Sequence, residues 1–245
     1  MCGNIKAILL AAGLGLRLRP FTKIKPKCLL PIGGKPLLQY WLENLSKTCI
    51  REVLVNTHWL AEQVEGFIAE WNSDLKNKLR VITFHEPELL GSAGTILACQ
   101  QWWENASELL IIYADNFTME KIDDILIFHQ FHNFPFTVGI FETEEPERCG
   151  IVSLNDYGLI VDFVEKPINP KTNLASAGIY VADTDILKNV LECNEKFNRP
   201  YDLGHHVLPK LTGRMMAYRL KSFLIDIGTP ESYMRAQKIC AGEIS

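Results

Sequence analysis

At 245 residues and 47% hydrophobic side chains, the chain can fill one sizeable α/β core. A formal net charge of −4 and an isoelectric point of about 5.9 exclude a general nucleic-acid- or membrane-binding surface, with one basic cluster near the N-terminus as a local exception. The apolar run Ala7-Ile8-Leu9-Leu10-Ala11 is too short to span a membrane and has no basic leader, so the cytoplasm is the expected compartment.

In chain order, short apolar, β-branched runs at Ile8–Leu10, Val53–Val55, Val81–Phe84, Leu109–Tyr113 and Thr137–Phe141 read as strands. Stretches with helical spacing lie between them. Pro36 leads a stripe of Leu37, Leu38, Trp41, Leu42 and Leu45, which predicts a helix with proline at its first position. Leu60–Trp71 and Thr95–Trp103 have the same character. Strands alternating with helices predict βαβ units and a mostly parallel sheet. Beyond about residue 140 the pattern turns strand-rich: Ile151–Leu154, Leu159–Val164, Gly178–Val181, Met215–Leu220 and Phe223–Ile227, with "NDYG" at 155–158 as a hairpin turn. Thr229-Pro230-Glu231 then opens a last helix reaching about Cys240. With no linker or repeat, the expectation is a single domain, about 1–140 α/β and about 141–245 strand-rich.

The seven cysteines (Cys2, Cys28, Cys49, Cys99, Cys149, Cys193 and Cys240) form no CxxC pair, so reduced thiols are expected rather than zinc or disulfides. His205-His206 lacks metal-ligand spacing and reads as a loop pair. The stretch "ILLAAGLGLRLRPFTKIKPKCLLPI" at 8–32 is different. A strand ending in Gly13-x-Gly15-x-Arg17 lets the backbone turn sharply and offer N–H groups to an anion. Position 18 is Leu18, so the dinucleotide fingerprint is incomplete, and no GKS or GKT follows. Arg17 and the Pro26-Lys27 pair stand there instead, a guanidinium fork and a point charge suited to phosphate oxygens.

These residues resemble the signature of the sugar-1-phosphate nucleotidyltransferases. The resemblance continues through "EPELLGSAG" (86–94), "YADN" (113–116), "CGIV" (149–152), "VEKP" (164–167), "ASAGIYV" (175–181) and "IDIGTPESY" (225–233), nearly the whole chain. It implies a Rossmann-like three-layer α/β/α fold whose N-terminal part binds nucleotide and whose C-terminal part binds sugar. It also implies a reaction between a nucleoside triphosphate and a sugar-1-phosphate that releases pyrophosphate. Magnesium would be the cofactor, held by Asp115 and Asp226, with Arg17 and Lys27 as catalytic cations. The nucleotide would meet Leu10, Ala11, Ala12, Gly13, Gly15, Arg17, Lys27, Glu86, Gly91, Ser92 and Ala93. The sugar phosphate would meet Asn116, Gly150, Glu165, Lys166 and Gly178, with Gly94 another close-approach glycine. Pro167 biases Lys166 toward an extended backbone.

Two departures from the family pattern bear on substrate. Tyr113-Ala114 stand where Asn-Gly is common, and Ser92 replaces a threonine while keeping the hydroxyl. The glutamate in "EPELLGSAG" is similar to guanylyltransferases for mannose- or heptose-1-phosphate, so GTP with a mannose-like phosphate is expected. UTP, CTP or dTTP, a non-sugar phosphate acceptor, and a silent nucleotide-sugar sensor stay open. Partners are expected to be these two substrates, with no nucleic acid or membrane, and a homo-oligomer is one expectation. Nineteen residues follow Asp226, so no C-terminal β-helix domain is expected.

Overall fold

The computed structural model describes residues 3–192 and 200–243. Cys2 and Cys193 lie outside them, and none of the other five cysteines is in a disulfide among the described residues. The chain divides into two compact units, neither of them continuous in sequence. One comprises Met1–Lys6, Leu90–Ile111 and Glu120–Lys221, the other Ala7–Leu89, Ile112–Met119 and Ser222–Ser245.

In the unit that begins at Ala7, three strands run parallel. Ile5–Leu10 pairs with Glu52–Thr57, Leu9 opposite Val55, and Glu52–Thr57 pairs with Arg80–His85, Thr57 opposite His85. Ala7, Ile8 and Leu9 are fully buried, as is expected of a parallel strand covered on both faces. Each such Ile or Leu stabilises the fold by roughly 1.5–3 kcal/mol relative to an exposed one. The predicted helices stand at Leu37–Leu45 and Ala61–Ser73. Pro36 lies just outside the first helix, in extended backbone, because it belongs to a short hairpin pairing Pro31–Ile32 with Lys35–Pro36.

That hairpin is clamped by the final helix, Pro230–Cys240, which opens with a capping box between Thr229 and Ser232. Tyr233 Oη and Gln237 Nε2 both donate to the Pro31 carbonyl, and Gln237 Oε1 accepts the Gly33 N–H. Leu18, Leu30, Ile32, Leu37, Phe117, Ile225, Ile227 and Ala236 form the core beneath it. Strand Leu224–Asp226 runs antiparallel to Asn116–Thr118, with Asp226 opposite Asn116.

In the other unit, Phe136–Glu142 pairs antiparallel with Leu174–Asp183 and parallel with Met215–Arg219. Gly150–Leu154 and Ile160–Glu165 make the expected hairpin. Its turn is closed by Gly158 N–H donating to the Asn155 carbonyl, while Asn155 Oδ1 accepts from the N–H groups of Tyr157 and Leu159. The helix read across Thr95–Trp103 is two, Ser92–Ala98 and Gln100–Trp103, broken at Cys99. Helices Ile122–Gln130 and Thr184–Glu192 complete the unit.

Candidate active site

The basic stretch of residues 16–29 folds as three short 3-10 turns, Leu16–Leu18, Phe21–Lys23 and Lys27–Leu29. Gly15 makes this possible. It has a left-handed φ of 60°, and a Cβ there would come within 2.7 Å of Thr22, whose hydroxyl donates to the Gly15 carbonyl at 2.7 Å. Trp59 Nε1 donates to the Thr22 carbonyl and Gln63 Nε2 to the Ile24 carbonyl, so helix Ala61–Ser73 and its approach hold the stretch from one side. Gly13 is exposed, and a Cβ there would meet only open space.

Three segments distant in sequence converge on Lys27. Its ammonium lies 2.8 Å from Asp115 Oδ2 and 2.7 Å from Asp226 Oδ1. The Lys27 side chain is only 8% exposed, whereas the two carboxylates are 39% and 50% exposed. Burial disfavours the charged lysine, but the two carboxylates more than offset it and hold its pKa above the ordinary value. Arg17 Nη2 stands 3.7 Å from Asp226 Oδ2, with both groups facing solvent. Gly228 permits this approach, since a Cβ would come within 2.8 Å of Asp226 Oδ2 and 3.0 Å of Arg17 Nη2. Asn116 is buried beside Asp226, and its carbonyl accepts from Trp41 Nε1.

Two carboxylates sharing one cation form a hard, anionic donor set, open enough to leave water on the far side. They fit magnesium, which needs only one or two protein carboxylates beside substrate phosphates. Among the described residues no group of three His, Cys, Asp or Glu side chains could hold a metal ion.

Leu10 and Ala12 are buried at the end of strand Ile5–Leu10 and just beyond it. Between them, Ala11 N–H donates to Asn56 Oδ1 at 2.6 Å, and Asn56 Nδ2 donates to Glu86 Oε1 at 2.8 Å. Asn56 and Gly228 are the residues that sequence reasoning missed. Gly228 stood inside a recognised motif, whereas Asn56 carried no local signal.

The remaining predicted residues lie in the other unit. Gly91, with φ of 80°, leaves room for the Tyr201 backbone, which a Cβ would meet at 2.6 Å. Ala93 and Gly94 donate their N–H groups to the Tyr201 carbonyl. The Ser92 hydroxyl accepts the Leu203 N–H and donates to Asp202 Oδ1. His206 Nδ1 accepts the Asp202 N–H within the turn Leu203–Val207, while His205 stays exposed. Glu165 lies against Gly150 and Gly204, where a Cβ on either would crowd its carboxylate, and its Oε1 is 3.6 Å from Lys166 Nζ. Gly178, with φ of 67°, sits where the register of its strand shifts between Ser176 and Tyr180.

Lys166 corrects the sequence reading. Its φ is 47°, left-handed rather than extended, because the chain turns out of strand Ile160–Glu165 while Lys166 N–H closes onto the Cys149 carbonyl. Non-glycine residues rarely adopt that conformation, and such strain clusters at functional positions.

The chain aligns with a provisionally named mannose-1-phosphate guanyltransferase of Sulfolobus acidocaldarius, 30% identical over 94% of this chain and 62% of the relative. It is 31% identical to the zebrafish (Danio rerio) mannose-1-phosphate guanylyltransferase catalytic subunit beta, over 94% of this chain and 63% of that one. It thus spans somewhat under two thirds of the curated relatives it matches. A solved structure of a provisionally named glucose-1-phosphate thymidylyltransferase from Bacillus anthracis, in complex with a sucrose, superposes with a TM-score of 0.84. It covers 98% of this chain and 96% of that one at 23% identity, which establishes the expected α/β, Rossmann-like fold. The family model "Nucleotidyl transferase" matches residues 6–242, and the chain belongs to that family.

Proposed function

We propose that this protein is a sugar-1-phosphate nucleotidyltransferase. A phosphate oxygen of the sugar-1-phosphate bonds to the α-phosphorus of a nucleoside triphosphate, the bond from that phosphorus to the β-phosphate oxygen breaks, and pyrophosphate leaves. The observation that carries this reading is Lys27 seated between Asp115 and Asp226 with Arg17 at its edge. Such transfer asks for positioned oxygens and neutralised charge rather than a covalent protein intermediate, and these four side chains supply both. Arg17, exposed and forked, suits the β- and γ-phosphates and the departing pyrophosphate. Lys27 is placed to neutralise charge growing at the α-phosphate. Asp115 and Asp226 would hold magnesium, which on binding supplies charge neutralisation to the phosphate oxygens. Lys166 and Glu165 are assigned to the sugar phosphate and the sugar hydroxyls.

For substrates we favour GTP and mannose-1-phosphate, supported by the names of the relatives and by the glutamate-containing form of "EPELLGSAG". Pyrophosphate release from four triphosphates, each crossed with several sugar-1-phosphates, tests both levels. Turnover confined to another base would sink the GTP assignment alone. No turnover with any pair would sink the activity.

A further inference from the structure

Gly204 is the second residue of the π-helical turn Leu203–Val207. Its φ is not left-handed, so the backbone there would accept alanine, a better helix former. The neighbour is what disfavours a side chain. All three heavy atoms nearest to a Cβ at Gly204 belong to Glu165: the Cβ would stand 3.4 Å from Cγ, 2.8 Å from Cδ and closer still to Oε2. Gly150 faces the same carboxylate, but a Cβ there would also meet the Phe163 ring at 2.7 Å, so that glycine has a separate packing reason. The turn that carries Gly204 is tied in place. The Ser92 hydroxyl accepts the Leu203 N–H at 2.8 Å and donates to Asp202 Oδ1 at 3.3 Å, while the His206 N–H donates to the Asp202 carbonyl at 3.0 Å. The Glu165 side chain, 18% exposed, is therefore the part that would have to move if position 204 gained a methyl group.

We infer that Gly204 is a positioning residue for sugar recognition: its missing side chain leaves the space in which the Glu165 carboxylate sits to accept hydrogen bonds from sugar hydroxyls. The inference rests on the reading of Glu165 as a sugar contact, and it adds a residue that acts through Glu165 without touching the sugar. A Cβ at position 204 swings the carboxylate aside and spoils its aim. The fold loses little, because the displaced atoms are the end of one side chain rather than backbone. Arg17 and Lys27 belong to the other compact unit, and nothing in this shift reaches them. The damage falls on the sugar-1-phosphate and spares the triphosphate.

Steady-state kinetics with the sugar-1-phosphate turned over in the crossed assay, and a double-mutant cycle, test this. Gly204→Ala should raise KM for the sugar-1-phosphate about tenfold or more and keep KM for the triphosphate within about threefold of the parent. Its melting temperature should stay within about two degrees of the parent or rise. Glu165→Ala should raise the same sugar KM about tenfold or more. Adding Gly204→Ala to Glu165→Ala should then change it by no more than about twofold, because the carboxylate to be displaced is gone. A further rise of about fivefold or more in that background would make position 204 a direct sugar contact and overturn the inference. A sugar KM within about threefold of the parent in Gly204→Ala would also overturn it, as would equal losses for both substrates. So would a melting temperature lower by more than about five degrees, or failure to fold, since the turn itself would then need glycine. An unchanged sugar KM in Glu165→Ala would remove Glu165 from the sugar site and the inference with it. A parent with no turnover would remove the activity reading and the inference together, whereas an active parent with an unaffected Gly204→Ala sinks the inference alone.

Discussion

Arg17 and Lys27 carry like charge in one loop, yet their surroundings give them different work. The Arg17 side chain is 66% exposed and rests 3.7 Å from Asp226, so it contributes little to folding and leaves its fork open to solvent. Arg17→Ala should lower kcat about a hundredfold or more, as loss of one aimed electrostatic stabiliser commonly does. Its melting temperature should stay within a degree or two of the parent. A kcat within about twofold of the parent would remove Arg17 from the transition state. Lys27 differs because its ammonium is buried against two carboxylates. Lys27→Met leaves those carboxylates facing each other, but both are partly exposed and rehydrate, so the expected loss is about 1 kcal/mol rather than the larger cost of a fully buried broken pair. Urea unfolding of the metal-free proteins measures it.

The helix Ile122–Gln130 shows how a buried polar side chain can be accommodated at the scale of an element. His129 lies on its buried face, with Nδ1 at 2.8 Å from Thr137 Oγ1 and Nε2 at 3.2 Å from Asp183 Oδ1. His132 bonds the same Thr137 oxygen through Nε2 at 2.8 Å, while its Nδ1 accepts the Phe134 N–H. Burial first, then the neighbouring His129, pushes the His132 pKa below its ordinary value. A histidine depressed in the fold favours the native state fully above its unfolded pKa of about 6.5, and that stability is lost as pH falls below it. Glu108 in the same cluster is pushed upward by burial and works in the opposite sense, so a single-site comparison is needed. His132→Asn should therefore lose less melting temperature than the parent between about pH 7.5 and pH 5.5. Equal losses would remove His132 as a titrating contributor.

The same cluster explains why this helix was not read from sequence. His129 interrupts the stripe of Ile122, Ile125 and Leu126, and its partner Thr137 lies beyond the helix on the next strand. The split at Cys99 was equally hidden, since no proline or glycine marks it. What could be read was continuous burial, as in Ile8–Leu10, or turn chemistry, as in Asn155–Gly158 and Thr229–Ser232. The site was legible only where motifs stood together. Arg17, Lys27, Glu86, Asp115 and Asp226 came from matched segments, whereas Asn56 is tied to Glu86 by a hydrogen bond across thirty positions that no local pattern records.

Taken as a whole molecule, the chain gathers Lys27, Asp115 and Asp226 into one of its two compact units although they lie far apart in sequence. Asp115→Asn and Asp226→Asn keep shape and remove one charge from that gathering. Each should raise the magnesium concentration for half-maximal rate about tenfold or more, because a magnesium site offers few protein carboxylates to begin with. Both variants should melt near the parent temperature, since the side chains are 39% and 50% exposed. Either aspartate drops out of the metal site if its variant keeps full rate at sub-millimolar magnesium.

The Lys27 bridge also means that the protein carries its own counter-ion. With an ammonium seated between Asp115 and Asp226, removal of divalent metal exposes no bare like-charge pair, so chelation should leave the fold intact. A divalent cation held by those carboxylates would compete with the ammonium for Asp115 Oδ2 and Asp226 Oδ1, so its binding would carry an exchange as well as an addition. The apparent metal affinity would then be lowered by the hold of the lysine, and the released ammonium would stand beside the loop proposed for the triphosphate. In Lys27→Met the exchange becomes simple addition. Magnesium should bind that variant more tightly and raise its melting temperature more than the parent's, even as kcat falls. An unchanged or weaker magnesium Kd by calorimetry would show that Lys27 does not compete for the pair.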